Sequence, residues 1–152
     1  MSQEQPGIDL ETSIGYMLKE AASALRSSME AVLKPLEMTV TQYACLELLA
    51  QRPGLSNSEL ARGAFITRQS MNVLLQSLEQ EGFVMRPSEP PVGRVLPTQL
   101  TPLGRRKLAR ATSAVKSVEE RMLNGINDSQ RSGARRILHG FISSLYSPAA
   151  SG

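Results

Sequence analysis

Residues 54–101 constrain the fold more tightly than any other stretch of this chain, reading GLSNSELARGAFITRQSMNVLLQSLEQEGFVMRPSEPPVGRVLPTQLT. Ser56-Asn57-Ser58-Glu59 spells a capping box, in which a hydroxyl and a carboxylate satisfy free backbone N–H groups at a helix start. That helix is expected to stop at Gly63. Thr67 caps a second helix, whose Met71, Leu74, Leu75 and Leu78 recur at helical spacing until Gly82. Residues 83–86 and 95–100 then read as two strands around a proline-rich turn, with Arg86 at the end of the first and Arg94 near the tip. Two short helices with a tight break, followed by a hairpin, make a helix-turn-helix with a wing. In such a unit the second helix lies in the major groove of DNA.

Longer helical patterns flank this middle. Residues 12–36 place Ile14, Met17, Leu18, Ala21, Leu25, Met29, Val32 and Leu33 on one wide apolar stripe, and Pro35 marks its end. A second capping box, Thr39-Val40-Thr41-Gln42, opens a helix that runs to Arg52-Pro53-Gly54. After the hairpin, Thr101-Pro102 begins a helix through Leu108, Ala111, Val115, Val118 and Met122. Asn127-Asp128 begins the last, which is expected to bury Ile137, Leu138, Phe141, Ile142 and Leu145. The fold class is therefore mainly α: six helices and one small β-hairpin, within a single domain at residues 12–146. Residues 1–11 and 147–152 are expected to be flexible ends.

With 152 residues, 41% apolar and 20% charged, the chain suits one ordinary globular domain. No apolar run is long enough to span a bilayer and the first residues carry no basic-then-apolar leader pattern, so the cytoplasm is the expected location. One cysteine, Cys45, and one histidine, His139, are too few for a disulfide or a zinc cage. With no phosphate-cradling glycine loop, HExxH or GxSxG, neither an enzyme nor a cofactor is expected. Charge is unevenly placed. Residues 1–51 hold three Lys/Arg against seven Asp/Glu (−4), residues 52–110 nine against four (+5), and residues 111–152 five against three (+2). The positive stretch coincides with the helix-turn-helix pattern, as a phosphate-facing surface requires, although a solvated face would show the same excess.

A recognition helix needs polar side chains on the outer face of its first turns. Thr67, Arg68, Gln69, Ser70 and Asn72 meet that need: Arg reads guanine bidentately, Gln and Asn read adenine, and hydroxyls bond to bases or phosphates. Arg94 at the wing tip suits a narrow minor groove, with Arg86 as a further contact. Arg105, Arg106 and Lys107 suit either phosphate contacts or a solvated face.

At this point the chain resembles the MarR family of bacterial winged-helix transcription regulators, from about residue 14 to 145. The likeness rests on Leu78-Glu79-Gln80-Glu81-Gly82-Phe83-Val84-Met85-Arg86, then an arginine at the wing tip, then Leu100-Thr101-Pro102-Leu103-Gly104. It is similar to the family pattern LE-x-x-G-L-V-x-R … R … LT-x-x-G. The wing departs from that pattern: Pro91-Val92-Gly93 precede Arg94 where an acidic partner is usual, and Glu89 is the nearest acid. The resemblance implies a homodimer built from helices at about 12–36 and 102–146, and a DNA-binding lobe at about 38–101. One recognition helix would serve each half of a near-palindromic double-stranded operator, with half-sites about 10 base pairs apart. The apolar faces of the first, fifth and sixth helices agree with a dimer but suit burial within one chain as well.

The resemblance also implies a repressor that leaves DNA when a small aromatic or phenolic effector enters a cleft between dimer helices and DNA-binding lobe. Tyr16, Met17, Tyr43 and Cys45 suit such a cleft or an ordinary core. Some relatives sense oxidants through a cysteine near the start of the first helix. Cys45 lies in the second and reads most simply as a buried small hydrophobe. His139 is expected at the surface. The competing reading is a winged-helix protein-interaction module with weak or no specific DNA binding. A thiol enzyme around Cys45 lacks a partner base.

Overall fold

The computed structural model describes residues 7–86 and 97–147. Its elements run α1 (Ile14–Leu33), a 3-10 turn (Lys34–Leu36), α2 (Val40–Gln51), α3 (Asn57–Ala64), α4 (Arg68–Gln80), β1 (Val84–Met85), β2 (Gln99–Leu100), α5 (Pro102–Met122) and α6 (Asp128–Tyr146). The two strands pair antiparallel, Val84 opposite Leu100 and Met85 opposite Gln99. They are shorter than the sequence pattern suggested. Pro97 cannot donate a ladder bond, and β2 begins only at Gln99. The tip of the expected wing, with Arg94, lies outside the described residues.

The chain divides into two compact units, residues 1–118 and 119–152. The first holds the core, in which Leu33 of α1, Cys45, Leu46 and Leu49 of α2, and Leu60 and Ala61 of α3 close around Met71, Leu75 and Leu78 of α4. Val84 and Leu100 from the strands and Leu108 and Ala111 from α5 complete it. Thr112 Oγ1 donates to Glu47 Oε2 at 2.9 Å, tying α5 to α2. In the second unit, Asn127 caps α6 through a box with Gln130, and the Arg131 guanidinium donates to the Leu123 carbonyl at 3.1 Å.

Several boundaries differ from the expected ones for physical reasons. The cap of α1 is Ser13, whose hydroxyl accepts from the Tyr16 N–H at 3.2 Å, so the helix starts beyond Thr12. Just before the helix, the Ser13 N–H donates to the Asp9 carbonyl at 2.9 Å and closes a turn. Helix α3 runs through Gly63 to Ala64. A Cβ on Gly63 would stand 2.9 Å from Leu48 Cδ1, so this glycine permits close α2–α3 packing rather than a stop. The left-handed turn that ends α3 falls instead on Phe65, at φ 60° and ψ 39°.

The largest difference concerns burial. None of the α6 residues expected to be covered is buried: Ile137, Leu138, Ile142 and Leu145 are exposed in the single chain, and Phe141 is only half-buried. On α1, Ile14, Met17 and Leu18 are exposed as well. Their spacing is helical, yet among the described residues each of these faces remains exposed.

Candidate nucleic-acid interface

Helix α4 is held by its inner side. Met71 and Leu75 are 0% exposed and Leu78 is 1% exposed, and a turn of about 100° per residue puts Gln69, Val73 and Gln76 diametrically opposite. Those three side chains are exposed, Val73 to 63%. The helix is presented to solvent by the Phe65 turn and capped by Thr67, whose hydroxyl accepts from the Ser70 N–H at 3.0 Å and donates to Ser70 Oγ at 2.9 Å. Phe65 is itself 87% exposed.

The structure divides the expected contact residues into groups. Thr67, Arg68, Gln69 and Ser70 are all exposed at the start of α4. Asn72 does not share the open face. It lies on the flank towards α3, half-buried, with its Oδ1 accepting from Asn57 Nδ2 at 2.8 Å. Arg68, one turn before Asn72, takes the same flank and shares a cavity with Arg86, Ser56, Asn57, Ser58 and Thr98. Arg86 Nε stands 3.9 Å from Glu79 Oε2, both side chains partly exposed. Val73 and Gln76, which sequence reasoning did not single out, share the exposed face with Gln69 because they follow it at i+4 and i+7. Thr98, just before β2, is buried and lines the same cavity as Arg68 and Arg86.

Helix α5 begins against the wing. The Thr101 N–H donates to the Phe83 carbonyl at 3.0 Å, and its hydroxyl donates to the Gly82 carbonyl at 2.6 Å while accepting from the Gly104 N–H at 3.0 Å. These bonds explain the Leu-Thr-x-x-Gly spelling, since Gly104 packs its Cα against the Phe83 carbonyl. Lys107 Nζ lies 4.7 Å from the centre of the Phe83 ring, a cation–π contact, while Arg105 and Arg106 remain exposed.

A family model for the MarR family matches residues 38–94. The HTH-type transcriptional repressor Rv2887 of Mycobacterium tuberculosis is 39% identical over 132 residues, which span 87% of this chain and 95% of the relative. The chain belongs to the MarR family. The crystal structure of Rv2887 in complex with DNA superposes with a TM-score of 0.70 at 37% identity, covering 86% of this chain and 98% of that one. Its complex with salicylic acid gives 0.71 at 38%, covering 86% and 96%. CouR, a transcriptional repressor known from Rhodococcus jostii, is similar when bound to a 23-mer DNA duplex, with a TM-score of 0.78 at 28% identity over 92% and 99% of the chains. The mainly helical winged fold expected from the sequence is thus that of the MarR proteins, which are transcription regulators.

Within that fold, the four residues suggested for an effector cleft have different surroundings. Cys45 is 0% exposed, its Sγ 3.7 Å from Met71 Sδ, and burial pushes its thiol up to about 12. Such a thiol neither opens onto a cleft nor ionises readily. Tyr43 is half-buried against the core, and Tyr16 and Met17 lie on the exposed stripe of α1. His139 is exposed, as its sequence context suggested. Among the described residues no cluster of His, Cys, Asp or Glu has the makings of a metal site, and no helix is long and apolar enough to cross a membrane.

Proposed function

We propose that this MarR protein is a homodimeric, sequence-specific repressor that binds near-palindromic double-stranded DNA through α4 and is released by a small aromatic effector. The observation that carries the reading is α4 itself, whose inner side is sealed in the core while Gln69, Val73 and Gln76 face outward. Gln offers paired donor and acceptor groups to adenine, and an apolar side chain suits the thymine methyl. Thr67, Arg68, Ser70, Asn72 and Arg86 flank that face, and Arg94 belongs to the wing.

Dimerisation is supported by the apolar stripes left open on α1 and α6. Isologous pairing of the helices at about 12–36 and 102–146 would cover them and leave residues about 38–101 as the DNA-binding lobe. The effector class follows from salicylic acid in the complex of Rv2887. The protein works in the cytoplasm, performs no chemistry and needs no cofactor.

Selection from a pool of random duplexes at low and moderate salt tests the reading. The expected result is a near-palindrome with half-sites about one helical turn apart, bound by a dimer and released by salicylate. Failure to enrich any sequence at either salt would refute it.

A further inference from the structure

Arg68 and Arg86 come from different elements, one opening α4 and the other ending β1, yet both line a single cavity of about 320 Å³. Ser56, Asn57 and Ser58 at the start of α3 form another wall, and Thr98 beside β2 forms a third. Several donors there are unused, although the Asn57 amide donates to Asn72 Oδ1. Ser56 Oγ and the Glu59 carboxylate are occupied with each other's backbone N–H groups, but the N–H groups of Asn57 and Ser58 take no hydrogen bond among the described residues. Thr98 is only 6% exposed, and its hydroxyl also has no partner among them. Arg68 has no ion pair among the described residues, and the single contact of Arg86 with Glu79 is long. The Thr98 hydroxyl lines the cavity with a free O–H to offer a bound acceptor.

We infer that this cavity is a cradle for one backbone phosphate of DNA in each half-site, with Arg68 and Arg86 as its charged walls and Thr98 as a hydroxyl donor. A phosphodiester supplies acceptors only, which matches a site made of guanidiniums, backbone N–H groups at a helix start and a hydroxyl. The inference rests on the DNA-binding reading and sharpens it. Arg68 positions the protein on the duplex, and Gln69, Val73 and Gln76 are left to distinguish bases.

The test uses full-length protein and an operator duplex selected as above, with Arg68→Ala, Arg86→Ala and the near-isosteric Thr98→Val. Each arginine variant is expected to lose roughly tenfold or more in affinity. The loss should be equal on the operator and on its single-base variants, and the salt slope should fall by about one. Thr98→Val should lose about three- to tenfold. A neutral methylphosphonate walked along the operator should find one position per half-site that weakens the wild type but not the Arg68→Ala/Arg86→Ala double variant. Base-selective losses, an unchanged slope or no sensitive phosphate would overturn the cradle while leaving DNA binding intact. Inorganic phosphate that competes beyond equal-strength chloride, with no sensitive position in the duplex, would make the occupant a free anion and overturn the backbone assignment. A wild type that binds no duplex would overturn the regulator reading as well, so the two failures are distinguishable.

Discussion

Gly104→Ala tests the joint between the wing and α5. A Cβ at this position would stand 2.0 Å from the Phe83 carbonyl oxygen, 3.0 Å from its carbon and 3.2 Å from Phe83 Cα. Ordinary carbon–oxygen approaches begin near 3.3 Å, so one of the two backbones must retreat by more than about 1 Å. Neither end is a flexible side-chain tip. Retreat strains the Thr101–Phe83 and Thr101–Gly82 hydrogen bonds that hold the start of α5 to the strand pair. Overpacking of this kind costs about 1–3 kcal/mol, and each compromised hydrogen bond about 1 kcal/mol. Alanine returns roughly 1 kcal/mol of helix propensity relative to glycine. The expected net loss is about 2–4 kcal/mol, a large share of a typical domain's roughly 5–15 kcal/mol.

Urea unfolding followed by circular dichroism, at one fixed protomer concentration because a dimer's stability depends on it, reads the loss directly. The control is Gly133→Ala on α6, where an added Cβ meets nothing within 4 Å of its own chain. That variant should gain up to about 1 kcal/mol. If Gly104→Ala matched it, the close approach would be absent and the account of the Leu-Thr-x-x-Gly joint would fail.

Phe65→Gly should stabilise the fold by about 1 kcal/mol, since φ 60° is costly for a bulky side chain and free for glycine; a lower unfolding midpoint would contradict this. Cys45 should resist thiol reagents at pH 8 in the native state and react only at the rate of opening. Its raised thiol favours the fold below the ordinary thiol range, and that contribution fades as pH climbs towards about 12. Fast native labelling would show that the thiol is not sealed. The Ser56 backbone N–H and hydroxyl hold the Glu59 carboxyl below its ordinary value of 4.5. Its contribution is therefore complete above that value and is lost as pH falls through the lower folded one. Glu59→Gln, which keeps the capping geometry, should flatten that part of the pH–stability curve, and an unchanged acid limb would remove Glu59 from it.

Much of this architecture is legible in local sequence because local chemistry decides it. The capping boxes at Thr39 and Ser56, the cap at Thr67 and the left-handed Gly82 all stand where residue type placed them. Errors arise where a distant group decides. Gly63 reads as a stop, but what it accommodates is Leu48 from another helix. Phe65 reads as an ordinary residue, but α3 must end where α4 can pack its Met71 and Leu75 on the core, and that requirement puts an aromatic into a left-handed turn. The apolar spacing of α6 is visible in sequence, but periodicity says only that a face exists, never which chain covers it.

The division of α4 shows why the site was only partly legible. A polar run at a helix start announces solvent exposure, and Arg68, Gln69 and Asn72 share it, but the side chains fan out around the axis. Only the positions of α3 and β1 decide which of them meets other protein groups. Asn72 is turned to Asn57 and Arg68 towards the cavity with Arg86, whereas Gln69, Val73 and Gln76 lie diametrically opposite the buried side of the helix. Substitutions at those three outward positions should therefore alter operator preference with little effect on stability. Changes to Met71, Leu75 or Gly104 should act through the fold and weaken binding to every sequence alike. A MarR lobe organised in this way can change the DNA it reads without disturbing the scaffold that presents the reading helix.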